Sequence, residues 1–503
     1  MSRHATRTVR RAPVILVLVA ALGVGGLADR AAGSHPAAAA TADVVQPVPV
    51  AAPVDAYSST WFCAGATDLP SGVAPGRVII YNNGTDPETA TVTLTGSNGK
   101  SSTQSVPIQP GVTAGLNESI RGGSAYVGAK VDVDGSAAVY QVLAGALGTS
   151  TAPCSTSGSA HWYFPTGQTR INAAEYIFLQ NPSPSNSIVV DMAFSTNNGG
   201  EQPSDFQGVP VSPGGLVVIP LSGHLRRRTA IATSVTARSG EVVAWEEEVI
   251  TPPTSQESIV GTAAANAPLA DPAWPVPGLS LMLGAPSAGL SWVWPDGVAG
   301  QGIDEQYVIY NPGSATADIR LAVGLQQGTA EPFDLQVGPG QTLAVVSEQE
   351  PRIPPGEPHS ARLESTNGVP VVAVRTVSAQ HVTVPAPAPV KGIGAMLGQR
   401  LSSDRWIVAT PGIDKNHQGG IVVFNPGDQP VQVTIGGLAK GPETVTVPAG
   451  GRTGVAVAAA STASAVRMVT VQATGPVYTE FNLYATGHGT GVSIAAGVPA
   501  AQG

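Results

Sequence analysis

The chain has 503 residues, of which only 12% are charged, with 60 glycines, 44 prolines and a formal net charge of −9. That length exceeds what one hydrophobic core serves, and the scarcity of Glu, Lys and Arg excludes a protein of long surface helices; Val, Ile and Thr between Gly/Pro turns favour short strands. The acidity removes any electrostatic reason to bind nucleic acid or an anionic membrane surface.

Residues 1–40 open with Arg3, Arg7, Arg10 and Arg11, continue through an apolar run at 12–28, and end in small residues around Ala37-Ala38-Ala39. Charge, length and order are those of an export signal. The run falls short of the ~20 residues of a relaxed membrane span. Two fates therefore stand: a cleaved signal peptide, or an anchor that touches the membrane through residues 12–28. Loss of residues 1–40 removes five arginines and Asp29, taking the net charge to −13. Residues 41–57 read as a linker.

Beyond it, four landmarks recur in one order. A tryptophan opens each unit (Trp61, Trp162, Trp292, Trp406), and an apolar strand ends in asparagine 19 to 21 residues later (Asn82, Asn181, Asn311, Asn425). A Pro-Gly turn follows at Pro110-Gly111, Pro213-Gly214, Pro339-Gly340 and, with one insertion, Pro448-Ala449-Gly450. Last, Gly135, Gly240, Gly368 and Gly475 precede a closing apolar strand, which reads as a hairpin turn. The asparagine bonds its own backbone, and the proline that often follows cannot continue a ladder, so the strand stops there. The recurring tryptophans read as core. About seven strands per unit is the rhythm of an immunoglobulin-like β-sandwich, and the period is too long for a propeller.

The chain is thus expected to be all-β, with four tandem immunoglobulin-like sandwiches at 58–154, 158–250, 289–383 and 403–500, and linkers at 251–288 and 384–402. The layout, with Trp-x-Phe followed by Asn-Pro and a cysteine in the first unit, resembles an uncharacterised family of exported actinobacterial envelope proteins. The resemblance implies an envelope location and a β-rich build, and it brings no catalytic residues.

Cys63 sits two residues after Trp61, on the same strand face, and Cys154 follows the closing strand of the first unit. An exported pair oxidises, so a disulfide clasping the first strand to the unit's exit is expected. Asp132, Asp134 and Gly135 resemble the start of a calcium loop, but the twelfth position is Leu143 and the repeat already explains the glycine. Glu246, Glu247 and Glu248 read as a solvated outer face, Arg226-Arg227-Arg228 as a solvated loop, and Asp296, Asp304 and Glu305 as loop variation. The histidines form no motif. No catalytic residue, cofactor or metal is assigned. The reading is an exported envelope protein with a structural, spacer or interaction role, its partner an envelope protein or glycan. A glycan-binding array is the alternative, with Trp274 in the long linker the best exposed contact; a hydrolase ranks below it.

Overall fold

The structure is a computed structural model that describes residues 49–252, 276–298, 300, 302–326, 328–383, 389–411, 413, 416–458, 466–485 and 491–501. The expected export segment and Trp274 lie outside the described residues. The fold is all-β, a set of antiparallel sheets with three single-turn 3-10 segments among the described residues.

The first unit shows the plan. Its strands are β1 (Ser59–Ala66), β2 (Gly76–Asn82), β3 (Glu88–Gly96), β4 (Ser101–Ile108), β5 (Thr113–Asn117), β6 (Val127–Val133), β7 (Ala137–Gly145) and β8 (Gly148–Pro153). They pair as two sheets, β1-β6-β3-β4 and β5-β2-β7-β8. Along β3 every second residue is buried, because alternate side chains face the opposite sheet. Sheets of corresponding order are built on His161–Phe164, Ser291–Gly297 and Ser403–Thr410. The architecture is the sandwich, although the strand order differs from the ABED/CFG order of constant immunoglobulin domains.

Three expectations are corrected. Each unit carries an eighth strand, and in the second and third units it comes from stretches read as linkers, Gly278–Leu283 and Pro389–Leu397. Every residue of Gly278–Leu283 is buried, because both faces of that strand are covered. The glycine before the closing strand does not turn a hairpin: β6 and β7 belong to different sheets, so the chain there crosses the sandwich. In the fourth unit the crossing is seamless, with Gly475 inside one 19-residue strand, Arg467–Ala485, that serves both sheets. Of the four glycines only Gly240 and Gly368 take positive φ; Gly135 is small because the Glu88 carboxylate packs where its Cβ would be.

Past the eighth strand each chain segment turns onto the first strand. Ser155 bonds Phe62, Ala285 bonds Tyr163, Gln399 bonds Val293 and Pro499 pairs with Trp406. This closes one edge of every sandwich. In the second to fourth units the residue at the bend is Gly284, Gly398 or Gly497. A Cβ on Gly398 would stand 2.7 Å from Trp292 Cβ and 2.9 Å from Trp294 Cζ2. In the first unit the residue is Cys154, bonded to Cys63 with an S–S distance of 2.04 Å. The disulfide thus takes the place of a glycine-on-aromatic contact. Reducing it is expected to lower the melting temperature through a loss of about 4–5 kcal/mol for a closed loop of some 90 residues. Thermal unfolding with and without reductant, on alkylated protein, checks this; an unchanged midpoint would show that the bond adds nothing to the frame.

The four eighth strands meet one another. β8 packs on Gly278–Leu283 and on Val492–Ala496, and Pro389–Leu397 packs on both of those, so the contacts close a cycle. Backbone N–H groups at this hub bond side chains of the next unit: Leu281 N donates to Ser150 Oγ (2.9 Å), and Thr151 N to Ser493 Oγ (3.0 Å). The approach is close enough to require glycine, since a Cβ on Gly392 would lie 2.6 Å from Val492 N. The segments just before the first unit and just after the last strand of the fourth lock the cycle. Ala51 N donates to Pro499 O (2.9 Å) and Ala501 N to Ala51 O (3.0 Å). Residues Val45–Gly503 accordingly pack as one compact unit.

Candidate functional site

The repeat landmarks belong to the frame. Trp61, Trp162, Trp292 and Trp406 are buried. The indole N–H groups of Trp162, Trp292 and Trp406 donate to the carbonyls of Val242, Val371 and Val477, just ahead of or within the closing strand. Asn82, Asn181, Asn311 and Asn425 are also buried, and they do more than end a strand. Asn311 Nδ2 donates to Ala315 O (2.7 Å) and Val337 O (2.9 Å), while its Oδ1 accepts from Gly313 N (2.9 Å). Asn82, Asn181 and Asn425 make the corresponding three contacts. Each asparagine ties its own turn to the strand before the Pro-Gly turn, which satisfies backbone groups that a strand end leaves unpaired.

The acids read as surface are inside, and this is the main correction. Six residues before the asparagine, the second and third units place Glu175 and Glu305, both fully buried. Ladder partners of the residues two further on are Glu246, opposite Ile177, and Arg375, opposite Tyr307. The same interior end of each sandwich is therefore polar, with different chemistry. In the first unit Glu118 accepts from Gln141 Nε2 at 2.9 Å. In the fourth unit the position is Gly419, packed on Ile413 and Phe481.

In the second unit Glu175 stands opposite Glu248, with Glu246 on the same face. Burial, then mutual repulsion, raises Glu175 and Glu246 well above the usual carboxylate range, and burial raises Glu248 to about 7. Glu247 points the other way, towards the first unit near Tyr126, and burial alone raises it to about 8. The expected solvated face is absent because this strand is central in its sheet, with Ala173–Gln180 and Gly278–Leu283 on its two edges. Both of its faces are covered.

In the third unit charges are balanced. His359 Nε2 lies 2.8 Å from Glu305 Oε1, Ser347 Oγ donates to the same oxygen (2.9 Å), and Val298 N donates to Oε2 (3.0 Å). Burial pushes Glu305 up, but His359 and Arg375 overcome it and hold the carboxyl at about 2. Burial disfavours the imidazolium of His359, yet Glu305 outweighs it and the net shift is upward. His359 Nδ1 also lies 3.1 Å from Glu357 O, so both ring nitrogens face acceptors, as an imidazolium requires. Arg375 carries the network into the fourth unit through Glu480 (2.5 Å). Asp296 does likewise, bonded to Arg452 and to Asn482 Nδ2. Asp296 and Glu305 are interface and core residues; only Asp304 stays in the less buried class.

The other candidate is a cavity of ≈ 100 Å³ at the hub, where all four eighth strands contribute. Its wall includes Leu281, Leu283, Met396, Ile494, Trp292 and Trp406. Among the described residues no group of three or more His, Cys, Asp or Glu could hold a metal ion. No helix among the described residues is long and apolar enough to cross a membrane. Arg228 of the basic loop is paired with Glu201 (2.7 Å).

One signal could have exposed the hub. Residues 148–154, 278–284, 392–398 and 491–497 share the pattern Gly-x-Ser/Gly-x-x-x-Gly/Cys, a fifth landmark lying partly in the presumed linkers. The buried acids had a weaker one, a glutamate six residues before asparagine in two units only.

Fold and site together define a protein of linked β-sandwiches with ionisable groups sealed in its interior. The chain belongs to a family of unknown function (DUF5719), which matches residues 127–381. No curated protein matches it. Among solved structures it is similar to Thermotoga maritima 1070, at 22% identity over 22% of this chain and 95% of that one, with a TM-score of 0.20. It is also similar to a glycoside hydrolase family 32 protein from Bifidobacterium adolescentis, at 10% identity over 86% of this chain and 99% of that one (TM-score 0.14). A third is a tetra-tandem repeat from the extending region of a large adhesion protein, at 11% identity over 89% and 99% (TM-score 0.10).

Proposed function

We propose that this chain is an exported, non-catalytic scaffold of the cell envelope that presents one closed assembly of sandwiches to an envelope partner. The observation that carries the reading is the Cys63–Cys154 disulfide, buried at the edge closure of the first unit. Disulfides persist in oxidising compartments and are rare in a reducing cytosol. The basic start and apolar run of residues 1–40 supply the export signal for that location. The buried acids of the second and third units support a structural role, since they face one another or fixed cations inside the sandwiches.

The test is fractionation of cells producing the chain with and without residues 1–40, followed by thiol alkylation before and after reduction. The reading expects the whole chain outside the cytosol with both thiols protected until reduction. A cytosolic chain with two freely alkylated cysteines would overturn it.

A further inference from the structure

We propose that the hub cavity binds a small neutral molecule, an apolar group of about five carbon atoms that carries one hydroxyl. The same three positions of the four eighth strands line it, 151–153, 281–283, 395–397 and 494–496. The space exists because several of these positions hold small residues, Ala152, Ala395, Ala495 and Ala496, where the second unit places leucine or methionine. Apolar walls around a few placed polar groups are the usual make-up of a small-molecule site.

Size and wall choose a compact apolar body. An apolar cavity of about 150 Å³ holds benzene; this one, at ≈ 100 Å³, takes a smaller ring or a short branched chain. Met282 and Met396 line it, and thioether side chains adapt to irregular shapes. A charged ligand would leave water for walls that offer no carboxylate, histidine or lysine among the described residues, which is costly. Arg400, part-buried in the lining, donates through Nη1 to Ser287 Oγ (2.7 Å). Two open oxygens choose the hydroxyl. Thr151 is 2% and Gln399 6% exposed, both line the cavity, and Thr151 Oγ1 and Gln399 Oε1 have no hydrogen-bond partner among the described residues. Both residues are otherwise fixed, since Thr151 N donates to Ser493 Oγ (3.0 Å) and Gln399 Nε2 to Thr479 O (2.8 Å). Buried polar atoms are ordinarily satisfied, so two left open on one otherwise apolar wall mark a place for a ligand's polar group. A ligand hydroxyl can donate to either oxygen and can accept from the Thr151 O–H.

The methionines make the test site-specific. The purified full chain, labelled with carbon-13 in its methionine methyl groups, is titrated with cyclopentanol and with methylcyclopentane, which has the same shape and no hydroxyl. The methyl resonances of Met282 and Met396 should move along one saturable curve, while those of Met192 and Met468, which do not line the cavity, stay in place. Cyclopentanol should bind about tenfold more tightly than the hydrocarbon, the worth of one hydrogen bond between neutral groups. Gln399→Met should reduce that preference. If this variant melts early, Thr151→Val, which keeps the side chain's shape and removes its open oxygen, must reduce it instead. No saturable shift, equal shifts at all four methionines, equal affinity for methylcyclopentane, or a preference unchanged in both folded variants would each overturn the proposal. So would tighter binding of cyclopentanecarboxylate, which would make the ligand an anion, or of N-acetyltyrosinamide, which would make the occupant a side chain of a protein partner.

Discussion

Between about pH 5.5 and about pH 9 the protein is expected to lose on the order of 5 kcal/mol of stability, the apparent melting temperature falling throughout. Glu118 and Glu247 are fully buried and raised from the ordinary 4.5 to about 8. A carboxyl whose folded value is raised holds its proton in the folded state while the unfolded chain releases it. Its contribution is complete below the unfolded value and declines as pH climbs through the folded one. Glu175, Glu246 and Glu248 shift in the same direction. His359, also raised, adds to the loss as pH climbs from its unfolded value through its folded one. Glu305 works the other way, but its folded value near 2 confines that effect to strongly acidic solution. Glu247→Gln isolates the cause. It removes one ionisation without changing shape, so it should raise the melting temperature at the alkaline end and leave it unchanged at the acidic end. Equal effects at both ends would mean that Glu247 is not buried.

Replacing Arg375 with methionine is expected to cost about 3–5 kcal/mol, because it strands charges that cannot reach water. Arg375 is 1% exposed and lies between Glu480 and Glu305, which are themselves fully buried. Burial opposes its charge, but the two carboxylates outweigh that and hold the guanidinium protonated. The double variant Arg375→Met with Glu480→Leu should recover part of the loss, since an apolar pair of similar volume can be close to neutral. Denaturant midpoints of the two single variants and the double variant give the coupling. A loss below about 1 kcal/mol for Arg375→Met would place the pair at an exposed rim instead.

Much of the frame was legible because its signals are local. Trp292 and Asn311 recur at fixed spacing, and a strand end that needs an asparagine needs it in every unit. The eighth strand escapes a local reading, since Gly278–Leu283 sits behind a Pro/Ala-rich stretch and only the recurrence of its glycine-bounded pattern in all four units marks it. The acids misled for a physical reason. Three consecutive glutamates read as solvated unless both faces of their strand are known to be covered, and coverage depends on pairing across units. Asp296 is the clearest case: its partners Arg452 and Asn482 lie more than 150 residues away. Nothing near Asp296 in the chain announces them.

That the four sandwiches close on one another through their eighth strands, instead of trailing as separate beads, is most directly tested by small-angle X-ray scattering. For Val45–Gly503 packed as one body, chain-length scaling gives a radius of gyration of roughly 23 Å. A value close to that, with a single-peaked distance distribution, is the expected result. A much larger radius with a distribution stretched into several shoulders would describe a row of independent domains and contradict the closed cycle.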